Sequence, residues 1–145
     1  MGAMGCKCDW KKWIVASVIV AAVYAGLDYI IHHKLLINLY QANMHLWRTP
    51  QDTAAKMCWL WCGYLLFGTL FTCIYSKGYE PEKAGASQGL RFGFLVGLFY
   101  WGTHLMSAFP FHPWPTRLYQ TWFACGLAEF ALLGVLVGAI YKPKA

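Results

Sequence analysis

Two pairs of side chains able to do chemistry stand at helical spacing in this sequence. Asp28 and His32 are four residues apart, as are Cys125 and Glu129, and that spacing places each pair on one face of a helix. Carboxylate, imidazole and thiolate converging from two such faces would suit a divalent metal ion or a proton relay. A second constellation is His33 with His104. Two imidazoles facing each other would ligate a haem iron axially or bind a transition metal. The plainer reading is that these histidines cap helices or hydrogen-bond singly, and that the carboxylates merely need a partner.

The cysteines point less clearly to chemistry. Cys58 and Cys62 lie i,i+4, not in the Cys-x-x-Cys spacing of thiol oxidoreductases, and a disulfide across one helical turn has poor geometry. Cys6 and Cys8 supply two thiolates, half of a closed metal site, or offer positions for lipidation. The opening Met-Gly-Ala-Met-Gly-Cys falls short of an N-myristoylation signal, because Cys6 stands where Ser or Thr is expected. No Ser/His/Asp triad, phosphate-binding loop, zincin motif or nucleotide fingerprint occurs.

The elements that must position these groups follow from composition. Of 145 residues 59% are hydrophobic and only 12% charged, against about 45–50% and about 25% in soluble domains. So little charge cannot coat a water-facing surface, and the chain reads as a polytopic all-α membrane protein, one domain over 1–145. A helix needs about 20 mostly apolar residues to cross a bilayer. Four runs qualify, over about 13–33, 57–75, 92–109 and 119–141, predicting a four-transmembrane-helix bundle. Leu35–Trp47 suits a short interfacial helix, Ser76–Gln88 an aqueous loop, and Phe109–Pro115 an aromatic connection in the headgroup belt. An ionisable group such as Asp28, which falls in the outer third of its span, costs up to about 2.5–3.5 kcal/mol, the value near the centre. The aliphatic residues of that span, each worth about 0.3–0.6 kcal/mol, offset it.

Orientation comes from Lys and Arg near the spans. With the N-terminus cytoplasmic, Lys7, Lys11, Lys12, Lys77, Lys83, Arg91, Lys142 and Lys144 lie inside, and Lys34, Arg48, Lys56 and Arg117 outside. Both termini are therefore expected in the cytoplasm. The net charge of +6 is a topology signal, and no nucleic-acid partner is expected. A cleaved signal peptide ending near Val23-Tyr24-Ala25 is the alternative for the first span, but the apolar run continues past Ala25.

The sequence also repeats. Ala22-x-x-x-Gly26-Leu27-x-Tyr29-x-x-x-His33 recurs as Gly93-x-x-x-Gly97-Leu98-x-Tyr100-x-x-x-His104, and Gly68-x-Leu70-x-x-x-Ile74-Tyr75 recurs as Gly134-x-Leu136-x-x-x-Ile140-Tyr141. The pattern predicts a duplicated two-helix hairpin. It also predicts helix seams at Ala22/Gly26, Gly68/Thr72, Gly93/Gly97 and Gly134/Gly138, with His33 and His104 on the seam face.

The runs Asp28-Tyr29-Ile30-Ile31-His32-His33, Leu39-Tyr40-Gln41-Ala42, Leu46-Trp47-Arg48 and Gly89-Leu90-Arg91-Phe92-Gly93 resemble small bacterial four-span membrane proteins of unknown function. That resemblance implies four spans in a bacterial cytoplasmic (inner) membrane and supplies no catalytic residues. Two functional expectations follow. One is an accessory, assembly or interaction subunit of a membrane complex, contacting other subunits or a second copy through small-xxx-small faces within the lipid bilayer. The other is a metal- or haem-associated, or proton-coupled small-solute transport, protein using Asp28, His32, His33, His104 and Glu129.

Overall fold

The structure, a computed structural model, describes residues 10–142, and every regular element among them is helical. Cys6, Cys8, Lys7 and Lys144 lie outside the described residues. α1 (Trp10–Ile30) is prolonged by a π-helical turn over Ile31–Leu35. The short helices α2 (Ile37–Gln41) and α3 (Pro50–Ala55), separated by a 3-10 turn at Met44–Leu46, lead into α4 (Met57–Lys77). α5 (Gly85–Gly97), a second π-helical turn (Leu98–Gly102) and α6 (Thr103–Ala108) form one continuous rod, and α7 (Thr116–Ile140) follows.

Three rods are long and apolar enough to cross a membrane: Trp10–Leu35, Met57–Lys77 and Thr116–Ile140, with mean hydropathies of 2.1, 1.6 and 2.2. The rod over 85–108 is not one of them. It opens on Gly85-Ala86-Ser87-Gln88 and carries Arg91, Thr103 and His104. Its start corrects the expected loop over Ser76–Gln88, which ends at Ala84. The expected interfacial helix over Leu35–Trp47 is broken into α2 and the 3-10 turn. α3 begins at Pro50, where the Thr49 side chain accepts a hydrogen bond from the Asp52 N–H at 3.2 Å.

Close backbone approach explains why a glycine-rich stretch of poor helix propensity is helical from Gly85. α5 and α7 pack against one another more extensively than any other pair of rods. A Cβ built on Gly85, Gly89 or Gly93 would collide with the backbone carbonyl oxygen of Gly138, Gly134 or Phe130 in turn. α1 and α4 meet in the same manner, since a Cβ on Gly68 would collide with the Ser17 carbonyl and Ala21. The seam on α1 is thus Ser17/Ala21, which corrects Ala22/Gly26. Ala22 and Gly26 are exposed, and nothing lies within 4 Å of where a Gly26 Cβ would be. The other three expected pairs, Gly68/Thr72, Gly93/Gly97 and Gly134/Gly138, are buried.

Ala16, Val20, Phe71, Tyr75, Phe130, Leu133, Val137 and Tyr141 form the core that joins the two helix pairs. Lys12 Nζ donates to the Lys142 carbonyl at 2.9 Å, so the start of α1 and the end of α7 share one end of the bundle. At the opposite end Trp101, Trp114, Trp122 and Phe123 pack on Leu105, Ala108 and Tyr119. There the Tyr119 hydroxyl ties down the Pro-rich connection by donating to the His112 carbonyl at 2.9 Å.

Candidate functional site

The first expected pair is formed. His32 Nε2 lies 3.3 Å from Asp28 Oδ1 across one turn, at the junction of α1 with its π-helical extension. A π-helical turn shifts the side-chain register within a helix and recurs at functional sites. Around this pair the structure adds three side chains that sequence reasoning missed. The Tyr64 hydroxyl of α4 donates to Asp28 Oδ2 at 2.5 Å. His32 Nδ1 makes a short hydrogen bond with the Tyr40 hydroxyl of α2, and Trp122 Nε1 of α7 donates to that hydroxyl at 2.8 Å.

One assignment of protons satisfies all four contacts. The Trp122 N–H donates to Tyr40, the Tyr40 O–H to His32 Nδ1 and the His32 Nε2–H to Asp28, while the Tyr64 O–H donates to the other Asp28 oxygen. Every donor points toward Asp28. The indole is a donor only and ends the chain, so the stretch able to pass a proton is Tyr40–His32–Asp28–Tyr64. Ring contacts hold it in place: His32 stacks on Tyr40 with centroids 5.7 Å apart, and Tyr40 meets Trp47 edge-on at 5.1 Å.

Tyr40, His32 and Asp28 have the connectivity of a nucleophile, its base and an orienting carboxylate. Burial argues for a different use. It pushes the Tyr40 phenol up to about 12, against the opposing effect of the Trp122 hydrogen bond, and a phenol held neutral is a weak nucleophile.

Glu129 sits deeper. It is 4% exposed, and its Oε1 has no hydrogen-bond partner among the described residues. Tyr24 joins the two regions, edge-on to Tyr64, the partner of Asp28, at 5.2 Å and edge-on to Phe130, the neighbour of Glu129, at 6.3 Å. The Trp101 indole nitrogen likewise lacks a partner. That indole covers Gly126, one turn before Glu129, where a Cβ would collide with it. Tyr24 packs between Tyr64, edge-on at 5.2 Å, and Phe67 at 4.2 Å. Asp28 and Glu129 therefore share one region, with tyrosines around it.

The remaining expected site residues fall elsewhere. Cys125 is half-buried on α7 and has no disulfide partner, and no hydrogen bond joins it to Glu129. Among the described residues no group of three or more His, Cys, Asp and Glu side chains could hold a metal ion. His33 and His104 are both exposed, which corrects their expected place on the seam. Each stacks on the tyrosine one turn earlier, His33 on Tyr29 at 4.7 Å and His104 on Tyr100 at 6.1 Å. For His33 the seam to which it was referred, Ala22/Gly26, is not a helix contact; for His104 the seam Gly93/Gly97 is one, but the π-helical turn over Leu98–Gly102 intervenes and shifts the register.

Comparison of the chain with known protein families, curated proteins and solved structures finds no match.

Proposed function

We propose that this chain is a four-span membrane protein whose work runs through proton exchange at Asp28 and Glu129, as in a proton-coupled carrier of a small solute. The observation that carries this reading is the continuous stretch Tyr40–His32–Asp28–Tyr64, hydrogen-bonded at either end and joined by the His32–Asp28 contact at 3.3 Å, which links α2, α1 and α4 and lies in a chain that also buries a carboxyl oxygen of Glu129 without a partner. Ionisable groups within spans are costly and mark ion or proton pathways. Hydroxyl, imidazole and carboxyl groups in contact can hand a proton along without large movement. Both termini are taken as cytoplasmic on the Lys and Arg distribution. A duplicated hairpin belongs to this reading as a proposal only, because the α1 contact falls on Ser17/Ala21 and not on Ala22/Gly26, the counterparts of Gly93/Gly97 in the repeat.

The proton leg can be tested without knowing the solute. In liposomes holding a trapped pH dye and an imposed potassium-diffusion potential, wild-type protein is expected to raise the rate of internal pH change above that of empty liposomes. Asp28→Asn and His32→Gln should each lower that rate at least about tenfold, the scale of effect expected of a positioned proton-transfer group. Equal rates in wild type, both variants and empty liposomes would remove the proposal.

A second reading, as a subunit working through lateral contacts, draws on the open small face at Ala22 and Gly26. Its partner would be a second copy or another membrane subunit. Cross-linking through Cys introduced at Ala22 tests that contact.

A further inference from the structure

A cavity of about 820 Å³ opens beside the exposed face of this hydrogen-bonded stretch, between the α1–α4 connection and the start of α7. Its walls are largely apolar, with Ile37, Met44, Trp47, Met57 and Trp122 around the body and Arg48 among the lining residues. Met44 and Trp47 are 65% and 38% exposed, so the cavity opens outward and is not sealed. Its volume falls in the range of about 300–1,000 Å³ of small-molecule sites.

Charge identifies the polar end of an occupant. Arg48 Nη1 bonds Asp52 Oδ2 at 2.8 Å, and Lys56 bonds the other oxygen of the same carboxylate. Two cations thus share one anion, leaving one positive charge in surplus at this edge. Arg48 also keeps guanidinium N–H groups beyond the one given to Asp52. An apolar body and a cationic edge together call for a ligand with a hydrocarbon tail and a single anionic head. A single hydrocarbon chain fits within this volume.

We propose that this cavity binds the carboxylate form of a single-chain fatty acid, its head on Arg48 and its tail along Ile37, Met44, Trp47 and Met57. The occupant would lie in the same cavity as His32 and Tyr40, which also line it. Binding itself does not depend on the hydrogen-bonded stretch moving protons.

Trp47 and Trp122 allow the binding to be read directly. Full-length protein in phosphatidylcholine liposomes is titrated with dibromostearate, a fatty acid whose bromines quench indole fluorescence at contact. A saturable quench at about one acid per chain is expected. Trp47→Phe with Trp122→Phe should abolish it. Because those changes can disturb packing, Ala54→Phe provides a second route. Ala54 is exposed and lines the cavity, so the phenyl ring intrudes on the path of the tail while the circular dichroism stays that of wild type. Arg48→Gln should weaken dibromostearate by about tenfold or more, the value of a charge-assisted hydrogen bond, and leave dibromostearyl alcohol unchanged. A non-saturable quench, equal quenching by brominated phosphatidylcholine, or retention of the saturable quench in Ala54→Phe would overturn the proposal. A saturable, Arg48-dependent quench in protein that moves no protons would leave this site standing and sink the carrier reading alone.

Discussion

Glu129 is the residue at which stability and function pull apart. It is 4% exposed with one carboxyl oxygen unpartnered, and a buried polar atom without a partner costs about 1–3 kcal/mol. Glu129→Met fills similar volume without that cost, so its thermal unfolding midpoint in detergent should rise while the proton flux falls. A midpoint that drops with unchanged flux would show that Glu129 has a structural partner and no part in proton exchange. Tyr40 gives the pH dependence. Its folded value of about 12 lies above the ordinary 10, so the stability it contributes is fully present below pH 10 and lost as the pH rises through about 12. Chemical denaturation of wild type and Tyr40→Phe over that range should show the two curves converging only toward the upper end. At this scale Asp28 with His32 was legible from spacing alone. Tyr64 and Trp122 were not, because they stand 36 residues from Asp28 and 82 from Tyr40, and contacts across such separations leave no local pattern.

At the scale of elements the helices follow from hydrophobic runs, while their boundaries follow from packing that composition does not reveal. Gln88 illustrates this. It was read as loop, yet its side chain is buried and bridges the turn before α5, accepting from the Glu80 N–H at 3.0 Å and donating to the Glu80 carbonyl at 3.1 Å. Small-residue spacing named three of the four seams and missed Ser17/Ala21, because α1 carries two successive small-xxx-small pairs and only contact with Gly68 decides between them. Substitution separates the two faces. Gly93→Leu drives a side chain into the Phe130 carbonyl and Gly134, and should cost at least about 1–3 kcal/mol or part α5 from α7. Gly26→Leu enters open space and should change the unfolding midpoint little. A large loss at Gly26 would mean that this face is covered in the assembled protein, as the lateral-contact reading requires.

The whole molecule turns on whether the rod over 85–108 crosses the membrane with the other three. Its hydropathy does not decide the matter, but its neighbours argue for a full traverse. Gly85 lies against Gly138 near one end of α7, Gly93 against Phe130 midway, Trp101 over Gly126 farther on, and Leu105 packs with Tyr119 near the other end. A rod that accompanies α7 along nearly its whole length would, in the four-span arrangement proposed above, cross with it. The glycines that make it less apolar are the ones that bring its backbone onto α7, where lipid does not reach. The contact between Lys12 and Lys142 puts the start of the first rod and the end of the last at one end of the bundle, the arrangement that the proposed four spans call for. Single cysteines introduced at Trp10 and at Lys142 in a cysteine-free background should therefore react with a membrane-impermeant maleimide from the same side. On the proposed orientation, read from the Lys and Arg distribution, that side is the cytoplasmic one, so labelling should require permeabilised cells. Reaction of one site in intact cells and of the other only after permeabilisation would establish an odd number of crossings, and would place Glu129 and Asp28 in a different arrangement with respect to the bilayer.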